Sequence, residues 1–201
     1  MTENRSIEFF ETQFRRQVEE KDFVLNAFEV LALKYLRGSI LDLGCGLGNL
    51  SLEAGSRGHK VYALDASQTA VDRINDEANR NNLDVRAEQR DIANYVIDKN
   101  YDTVVAIGLL MFFPCDRAIE LLSNIQECLN PGGIAVINVL TEGTTFMGMF
   151  HQNDYCLFEP NELTTRFSSW EIIKFSHDSY LAPESTTKDF DTIIAEKSEL
   201  F

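Results

Sequence analysis

A glycine-rich turn gives the first sign of chemistry in this chain. An apolar run at residues 40–43 leads into Gly44, Gly46 and Gly48 and then into a helical pattern. Glycines at a strand–helix turn let backbone N–H groups approach a ligand that side chains would exclude. A dinucleotide fingerprint needs Gly-x-Gly-x-x-Gly, but here the third glycine comes one residue early and Asn49 holds the final position. The spacing therefore disfavours a nicotinamide cofactor, while a purely structural turn stays possible.

Acidic residues end the strands that accompany this turn. Asp65 follows Gly44 by 21 residues, which suits a carboxylate that accepts two hydrogen bonds from vicinal ribose hydroxyls. Asp91 ends a third predicted strand and could accept from the exocyclic amine of an adenine, with Ile92 against the ring. Asp42 could help to position a cationic amino-acid group. Because parallel strands end at one edge of a sheet, these residues predict a joint cofactor site.

The elements that must position these residues alternate between strand and helix. Residues 6–36 contain neither Gly nor Pro and predict one or two helices. Later helices are expected from about 47 to 57, after an N-cap at Ser67, and from Asp116. Two tail strands should pair antiparallel at a sheet edge. The pattern predicts a doubly wound α/β fold, with strands at residues 40–43, 60–65, 84–90, 101–107, 134–140, 170–175 and 190–195.

Composition narrows the possible partners. The chain has 201 residues, a length typical of one α/β domain, and its 18 Lys+Arg against 32 Asp+Glu give a net charge of −14. Such a field repels phosphate backbones and anionic lipids, so neither nucleic acid nor a membrane is expected as a partner. The start does not resemble a signal peptide and no apolar run is long enough to span a bilayer, so a cytoplasmic location is the default expectation.

The four cysteines show no pattern typical of a metal site. Cys45, Cys115, Cys128 and Cys156 lie far apart, without a C-x-x-C pair or a Cys/His cluster. We expect reduced, mostly buried thiols and no bound metal. Cys45 is expected to be a small packed residue, and Cys115 lacks a partner that would make it a nucleophile.

In this order, the motifs resemble those of class I S-adenosylmethionine-dependent methyltransferases over at least residues 38–140. The resemblance implies a Rossmann-like seven-stranded sheet of order 3-2-1-4-5-7-6 with the last strand antiparallel and helices on both faces. It also implies S-adenosylmethionine as cofactor and methyl transfer to a small-molecule acceptor. The loop Asn130-Pro131-Gly132-Gly133 matches the family's entry to its fifth strand. The implied cofactor-binding residues are Asp42, Gly44, Cys45, Gly46, Gly48, Asp65, Ala66, Asp91, Ile92 and Ile107.

A closer resemblance is to the tellurite-resistance TehB-like group. It rests on Leu110-Met111-Phe112-Phe113, on Phe158-Glu159-Pro160-Asn161-Glu162-Leu163 followed by Trp170-Glu171, and on the aromatic start with Phe9, Phe10 and Phe14. That group carries a His-Arg pair in the final hairpin region, thought to face an oxyanion substrate. This chain has Ala182-Pro183-Glu184 there, which leaves the methyl acceptor open.

The expected organisation is one domain with four parts: a helical cap at 1–37, a cofactor-binding core at 38–140, a lid or acceptor segment at 141–169 and a terminal hairpin at 170–197. Methyl transfer to a soft nucleophile needs positioning and exclusion of water more than a strong base. His151 and His177 are weak candidates for a general base, because neither has a recognisable partner in the sequence. The side chains expected to pack the pocket wall and lid are Met111, Phe112, Phe113, Phe146, Met147 and Met149.

Two other functions stay open on the sequence alone. One is a nicotinamide-dependent oxidoreductase, and the other is a regulatory protein that binds the cofactor without turnover. Monomer and homodimer are equally compatible with the sequence.

Overall fold

The computed structural model describes residues 5–150 and 154–198. Its helices are α1 (Arg5–Glu20), α2 (Ala27–Ala32), α3 (Asn49–Ser56), α4 (Gln68–Asn81), α5 (Cys115–Cys128) and α6 (Glu162–Arg166). Its strands are β1 (Ser39–Leu43), β2 (Lys60–Asp65), β3 (Val85–Gln89), β4 (Tyr101–Ile107), β5 (Leu129–Leu140), β6 (Glu171–Ala182) and β7 (Thr186–Glu196). In these two ranges, no helix combines the length and apolar character needed to cross a membrane.

The seven strands form one sheet in the order β3-β2-β1-β4-β5-β7-β6. Strands β1 to β5 pair in parallel, whereas β7 runs antiparallel to both β5 and β6. This confirms the predicted order and the antiparallel last strand. The order reverses between β1 and β4, and open α/β sheets bind ligands beyond the strand ends at such a reversal.

Hydrophobic clusters cover both faces of the sheet. On one face, α5 buries Leu121 and Ile125 with Phe158 and Phe167. On the other, α3 and α4 bury Leu50, Ala54 and Ile74 among other apolar residues. Because both faces are covered, the central parallel strands read as nearly continuous apolar runs.

Several element bounds differ from the predicted ones. Helix α3 begins at Asn49 because Gly48 precedes it in the left-handed conformation, with φ of 73°. Helix α5 begins directly after Pro114, one residue before Asp116. The tail strands are longer than expected because their polar residues pair across the hairpin. The short helix α6 was not predicted.

The expectation of four reduced thiols is wrong for one pair. Cys115, at the start of α5, forms a disulfide with Cys156, 41 residues later. The returning chain places them together, since the Cys156 N–H donates to the carbonyl of Met111 at 3.1 Å. No local pattern reveals such a pair. Cys45 and Cys128 are free and buried, as expected.

Candidate functional site

A cavity of about 400 Å³ opens at the carboxyl ends of β1, β2 and β4, beside the reversal of strand order. Nine of the ten predicted cofactor residues line it: Asp42, Gly44, Cys45, Gly46, Asp65, Ala66, Asp91, Ile92 and Ile107. The tenth, Gly48, is not among the lining residues. The topology therefore gathers residues from four segments of the chain, as the strand-end argument predicts.

The glycine turn is tied to the end of β2. The N–H groups of Gly44 and Cys45 donate to the carbonyl of Leu64 at 2.8 and 3.1 Å. The next N–H, of Gly46, donates to Oδ2 of Asp65 at 2.9 Å. Oδ1 of Asp65 accepts from the Ser67 N–H at 2.9 Å. Two backbone donors thus hold this carboxylate at the cavity wall.

The glycines of the turn have different roles. Gly46 has φ of 52°, and a Cβ there would lie 3.4 Å from the ring of Phe14, so bare backbone faces the cavity. At Gly48 φ is 73°, and a Cβ would lie 2.3 Å from Cγ1 of Ile74. Gly48 therefore allows α3 to pack closely against α4. The structure gives it a packing role rather than a place in the cavity wall.

Asp91 caps a short helical turn and also lines the cavity. Its side chain accepts from the Ala93 N–H at 3.0 Å and from Nδ2 of Asn94 at 2.8 Å, capping the 3₁₀ turn Ile92–Asn94. It nevertheless lines the cavity beside Ile92, which is 4% exposed. The cap fixes the carboxylate and the apolar side chain relative to one another.

Carboxylates that line the cavity carry pKa values shifted by burial. Asp42 is 4% exposed and accepts from Oγ of Ser51 at 2.6 Å. Its pKa is raised to about 7, chiefly by burial and in addition by the nearby carboxylates of Glu29 and Asp65, against the lowering effect of the Ser51 hydrogen bond. Burial likewise raises the pKa of Asp65 and of Glu29. A cavity with several poorly solvated carboxylates favours a ligand that carries positive charge.

Helix α1, within the predicted helical cap at 1–37, covers the cavity, a role that the sequence had also given to the lid at 141–169. Ile7, Phe10, Phe14 and Gln17 recur at helical spacing along one face of α1 and line the cavity. None of the described residues in 141–160 lines it. The start of that segment instead packs beside β7, where the N–H groups of residues 145 and 146 donate to the carbonyl of residue 187.

Contacts across α1 hold this cover in place. The ring of Phe10 lies 5.2 Å from the ring of Phe112 in an edge-to-face arrangement. The carboxylate of Glu11 accepts hydrogen bonds from the hydroxyls of Ser67 and Thr69, the latter at 2.5 Å. Glu11 thereby connects α1 to the first turn of α4. The aromatic spacing of residues 7–17 was the sequence signal for this helix face.

The wall residues proposed from sequence divide into two groups. Phe112 and Phe113 line the cavity, and Met111 is buried within the 3₁₀ turn Leu110–Phe112. The other three, Phe146, Met147 and Met149, are not among the lining residues.

Of the two candidate histidines, His151 lies outside the described residues. His177 is not among the residues that line the cavity, and its Nδ1 lies 2.7 Å from Oδ1 of Asp191, a partner that the sequence did not reveal. Asp191 is fully buried and also accepts the Asn161 N–H at 2.7 Å. The partner could not be seen in the sequence because β6–β7 pairing brings it opposite His177.

The family model for the tellurite resistance protein TehB matches residues 4–183 of this chain. The chain belongs to the TehB family. The match covers α1, the glycine turn and the rest of the chain through β6, and it ends at the first residue of the hairpin turn Pro183–Ser185.

Individual relatives agree with the TehB assignment. The chain is 28% identical over 141 residues to "Probable S-adenosyl-L-methionine-dependent methyltransferase TehB" of Haemophilus influenzae (strain 10810), covering 69% of this chain and 48% of that protein. It is 30% identical over 135 residues to "Hemagglutinin 1" of Eikenella corrodens, covering 67% and 44%. The chain thus spans about half the length of the curated relatives it matches.

A solved structure shares the fold. The crystal structure of TehB from Haemophilus influenzae superposes with a TM-score of 0.76 and 23% identity over 90% of this chain and 65% of that one. In the present chain, Ala182 ends β6 and Pro183–Ser185 form the hairpin turn. Leu181, next to this turn, is 89% exposed.

Proposed function

We propose that this chain is an S-adenosylmethionine-dependent methyltransferase that acts on a small-molecule acceptor. One observation carries the proposal: the glycine turn, Asp65 and Asp91 meet in one cavity at the reversal of strand order. The TehB-family relatives named as methyltransferases support it. The same observation supports residues 38–140 as the cofactor-binding core and 1–37 as its cap.

The residues present fit this donor. S-adenosylmethionine supplies a methyl carbon activated by a sulfonium, and it also carries an ammonium group. The bare backbone at Gly46 leaves room for a ligand against the turn, and the buried carboxylate of Asp42 supplies the opposite charge. Asp65 accepts from ribose hydroxyls, while Asp91 accepts from the adenine amine with Ile92 against the ring.

The chain's own contribution to transfer is positioning and exclusion of water. Phe10, Phe14 and Phe112 form an apolar wall above the glycine turn. An apolar cover strengthens the electrostatic interactions beneath it and keeps water from competing with the acceptor.

His151 and His177 are the candidates for a general base. Asp191 orients the His177 ring, an arrangement that suits a base, but an acceptor would have to extend from the cavity towards β6 to reach it. Segment 141–169 would then form the acceptor side of the site.

Calorimetry of the Asp65→Ala variant tests the donor assignment. Losing a carboxylate that accepts from two hydroxyls should weaken S-adenosylmethionine binding by at least about tenfold. Asp84→Ala is the matched control, because Asp84 is an exposed aspartate just before β3, outside the cavity lining. Parent-like affinity in Asp65→Ala would overturn the assignment, as would preferential binding of NAD to the parent.

Turnover needs a separate measurement. Incubation with methyl-labelled S-adenosylmethionine and fractionated small metabolites should place label in an acceptor. Tight donor binding without label transfer to any fraction would favour the regulatory alternative instead.

A further inference from the structure

Glu29 reaches the cavity from α2 and belongs to none of the motifs predicted from the sequence. It belongs to a capping box with Asn26: the Asn26 side chain accepts the Glu29 N–H at 3.0 Å, and Oε2 of Glu29 accepts the Asn26 N–H at 2.7 Å. Both residues line the cavity. In the part of the chain that the structure describes, the capping box uses Oε2 only, and Oε1 has no hydrogen-bond partner.

A helix cap does not require the position that this carboxylate occupies. Burial raises the pKa of Glu29, so part of the carboxylate has left bulk water. Asp42 is near enough for the two charges to repel each other. Among the described residues that line the cavity there is no Lys or Arg to compensate them. Such a pair is stabilised when a cation binds between its members.

The donor carries two cationic groups, and their chemistry differs. An ammonium offers three N–H donors, whereas a sulfonium offers none. A carboxylate with a free oxygen gains most from a charge-assisted hydrogen bond, which only the ammonium can make. The position of Glu29 beside Asp42 therefore favours the amino-acid end of the donor.

We infer that Glu29 supplies a direct hydrogen-bond acceptor to the ammonium group of the donor's amino-acid moiety, next to the charge already assigned to Asp42. The inference rests on the proposed function. It assigns to α2 a binding role, so that the N-terminal helices do more than cover the cavity.

Glu29→Gln is the variant that tests it, because Gln also completes a capping box and so preserves the helix start while removing the charge. Calorimetry would compare S-adenosylhomocysteine, which has the ammonium but no sulfonium, with 5′-methylthioadenosine, which lacks the amino-acid moiety. We expect S-adenosylhomocysteine to bind about tenfold more weakly, about 1.4 kcal/mol, and 5′-methylthioadenosine to bind within twofold of the parent.

Glu53→Gln is the matched control. Glu53 lies on α3 away from the cavity lining and pairs with Arg57 at the surface, so its loss changes net charge equally. It should leave both affinities unchanged. A parallel fall in Glu53→Gln would show a general field effect and would overturn the inference.

The other outcomes separate the inference from the proposed function. Equal weakening of both ligands in Glu29→Gln would indicate a structural effect and overturn the subsite. Unchanged binding of both would show that Glu29 makes no contact, while the proposed function would still stand on Asp65→Ala. Weaker S-adenosylmethionine with unchanged S-adenosylhomocysteine would reassign Glu29 to the sulfonium. A parent that binds none of these ligands would overturn the proposed function itself.

Discussion

The two sides of the sheet place their polar groups by different means. Around β1, β2 and β4, the groups come from strand ends and the turns that follow: donors two residues away hold Asp65 and Asp91, and Gly46 reaches Asp65 from the turn after the neighbouring parallel strand. Around β5, β6 and β7, antiparallel pairing and a returning loop join residues of separate segments: His177 meets Asp191, 14 positions away, and Cys115 meets Cys156, 41 positions away. Parallel topology organises the first side, whereas hairpin pairing and a long return loop organise the second.

The two sides of the sheet therefore contribute to different properties: the first to ligand binding and the second to stability. The first side tolerates poorly solvated carboxylates, which cost stability but suit a cationic ligand. On the second side, the fully buried carboxylate of Asp191 is satisfied internally, by the Asn161 N–H and by His177. Substitutions on the two sides should therefore differ in which property they change.

We expect the largest effect on stability at Gly48, the glycine that allows α3 to pack against α4. Gly48→Ala forces an alanine into φ of 73° and places its Cβ 2.3 Å from Ile74. We expect a loss of about 4 kcal/mol in the free energy of unfolding, from backbone strain and overpacking. Urea denaturation monitored by circular dichroism measures it.

Gly58→Ala is the control for Gly48→Ala. Gly58 also has a positive φ, of 89°, but a Cβ there meets nothing within 4 Å. It should lose only about 1–2 kcal/mol, the backbone component alone. If Gly48→Ala kept parent-like stability but lost donor binding, Gly48 would be a ligand glycine as its motif position predicted.

Removing the disulfide should destabilise the tail without affecting the donor site. In Cys115→Ser/Cys156→Ser, the unfolded chain regains the conformational entropy that a cross-link between residues 41 positions apart removes. We therefore expect a loss of about 3 kcal/mol in the free energy of unfolding. Thermal unfolding of oxidised protein gives the stability, and calorimetry should show donor affinity within about threefold of the parent.

Cys128→Ser controls for exchanging a thiol for a hydroxyl. Cys128 is free and buried at the end of α5, and its loss should cost about 1 kcal/mol. Equal losses in both variants would contradict a stabilising disulfide.

Asp191→Ala should lower stability by about 2 kcal/mol, because it removes a fully buried carboxylate that accepts the Asn161 N–H and contacts His177. His177→Ala should cost less than about 1 kcal/mol, since 46% of the His177 side chain is exposed. Chemical denaturation of both variants checks the order. A larger loss in His177→Ala would mean that the imidazole, rather than the backbone N–H, depends most on Asp191.

The smallest expected effect is a gain in thermal stability, in the Asp42→Asn variant. The pKa of Asp42 is raised to about 7 in the folded chain, above the value near 3.9 of an unfolded aspartate, so between these values the folded state holds more protons. Its contribution to stability therefore falls as pH rises from about 4 to 7. Asp42→Asn should raise the Tm by about 2–4 °C at pH 8 and change it little at pH 4. Equal shifts at both pH values would contradict this.

Donor affinity should show the opposite dependence on pH. Binding of a cation favours ionised Asp42, so parent affinity for S-adenosylmethionine should rise as pH increases through about 7, and Asp42→Asn should flatten that rise. Glu29 and Asp65, whose pKa values burial also raises, add to the same trend. Calorimetry between pH 6 and 8.5 measures it, and a flat parent profile would contradict the assignment of charge.

Local rules explain which features were predictable. Alternating strands and helices predicted the sheet, and the bounds of β2 and β4 agree with the predicted ones because turn residues flank apolar runs. The capping box at Asn26 and Glu29 was not predicted, and nothing local showed that α2 faces the cavity. Helix α6 has only five residues, too few for a periodic pattern.

The sequence by itself determined the alternation of strands and helices and the residues that meet at the glycine turn, because strand-end positions follow from parallel topology, while the strand order came from the family resemblance of the motifs. Only the tertiary structure decided which face of α1 lines the cavity, that Gly48 packs against Ile74, and that Cys115 joins Cys156. These depend on how distant segments fold back on one another. Such approaches are set by packing of the whole core, on which local propensity carries no information.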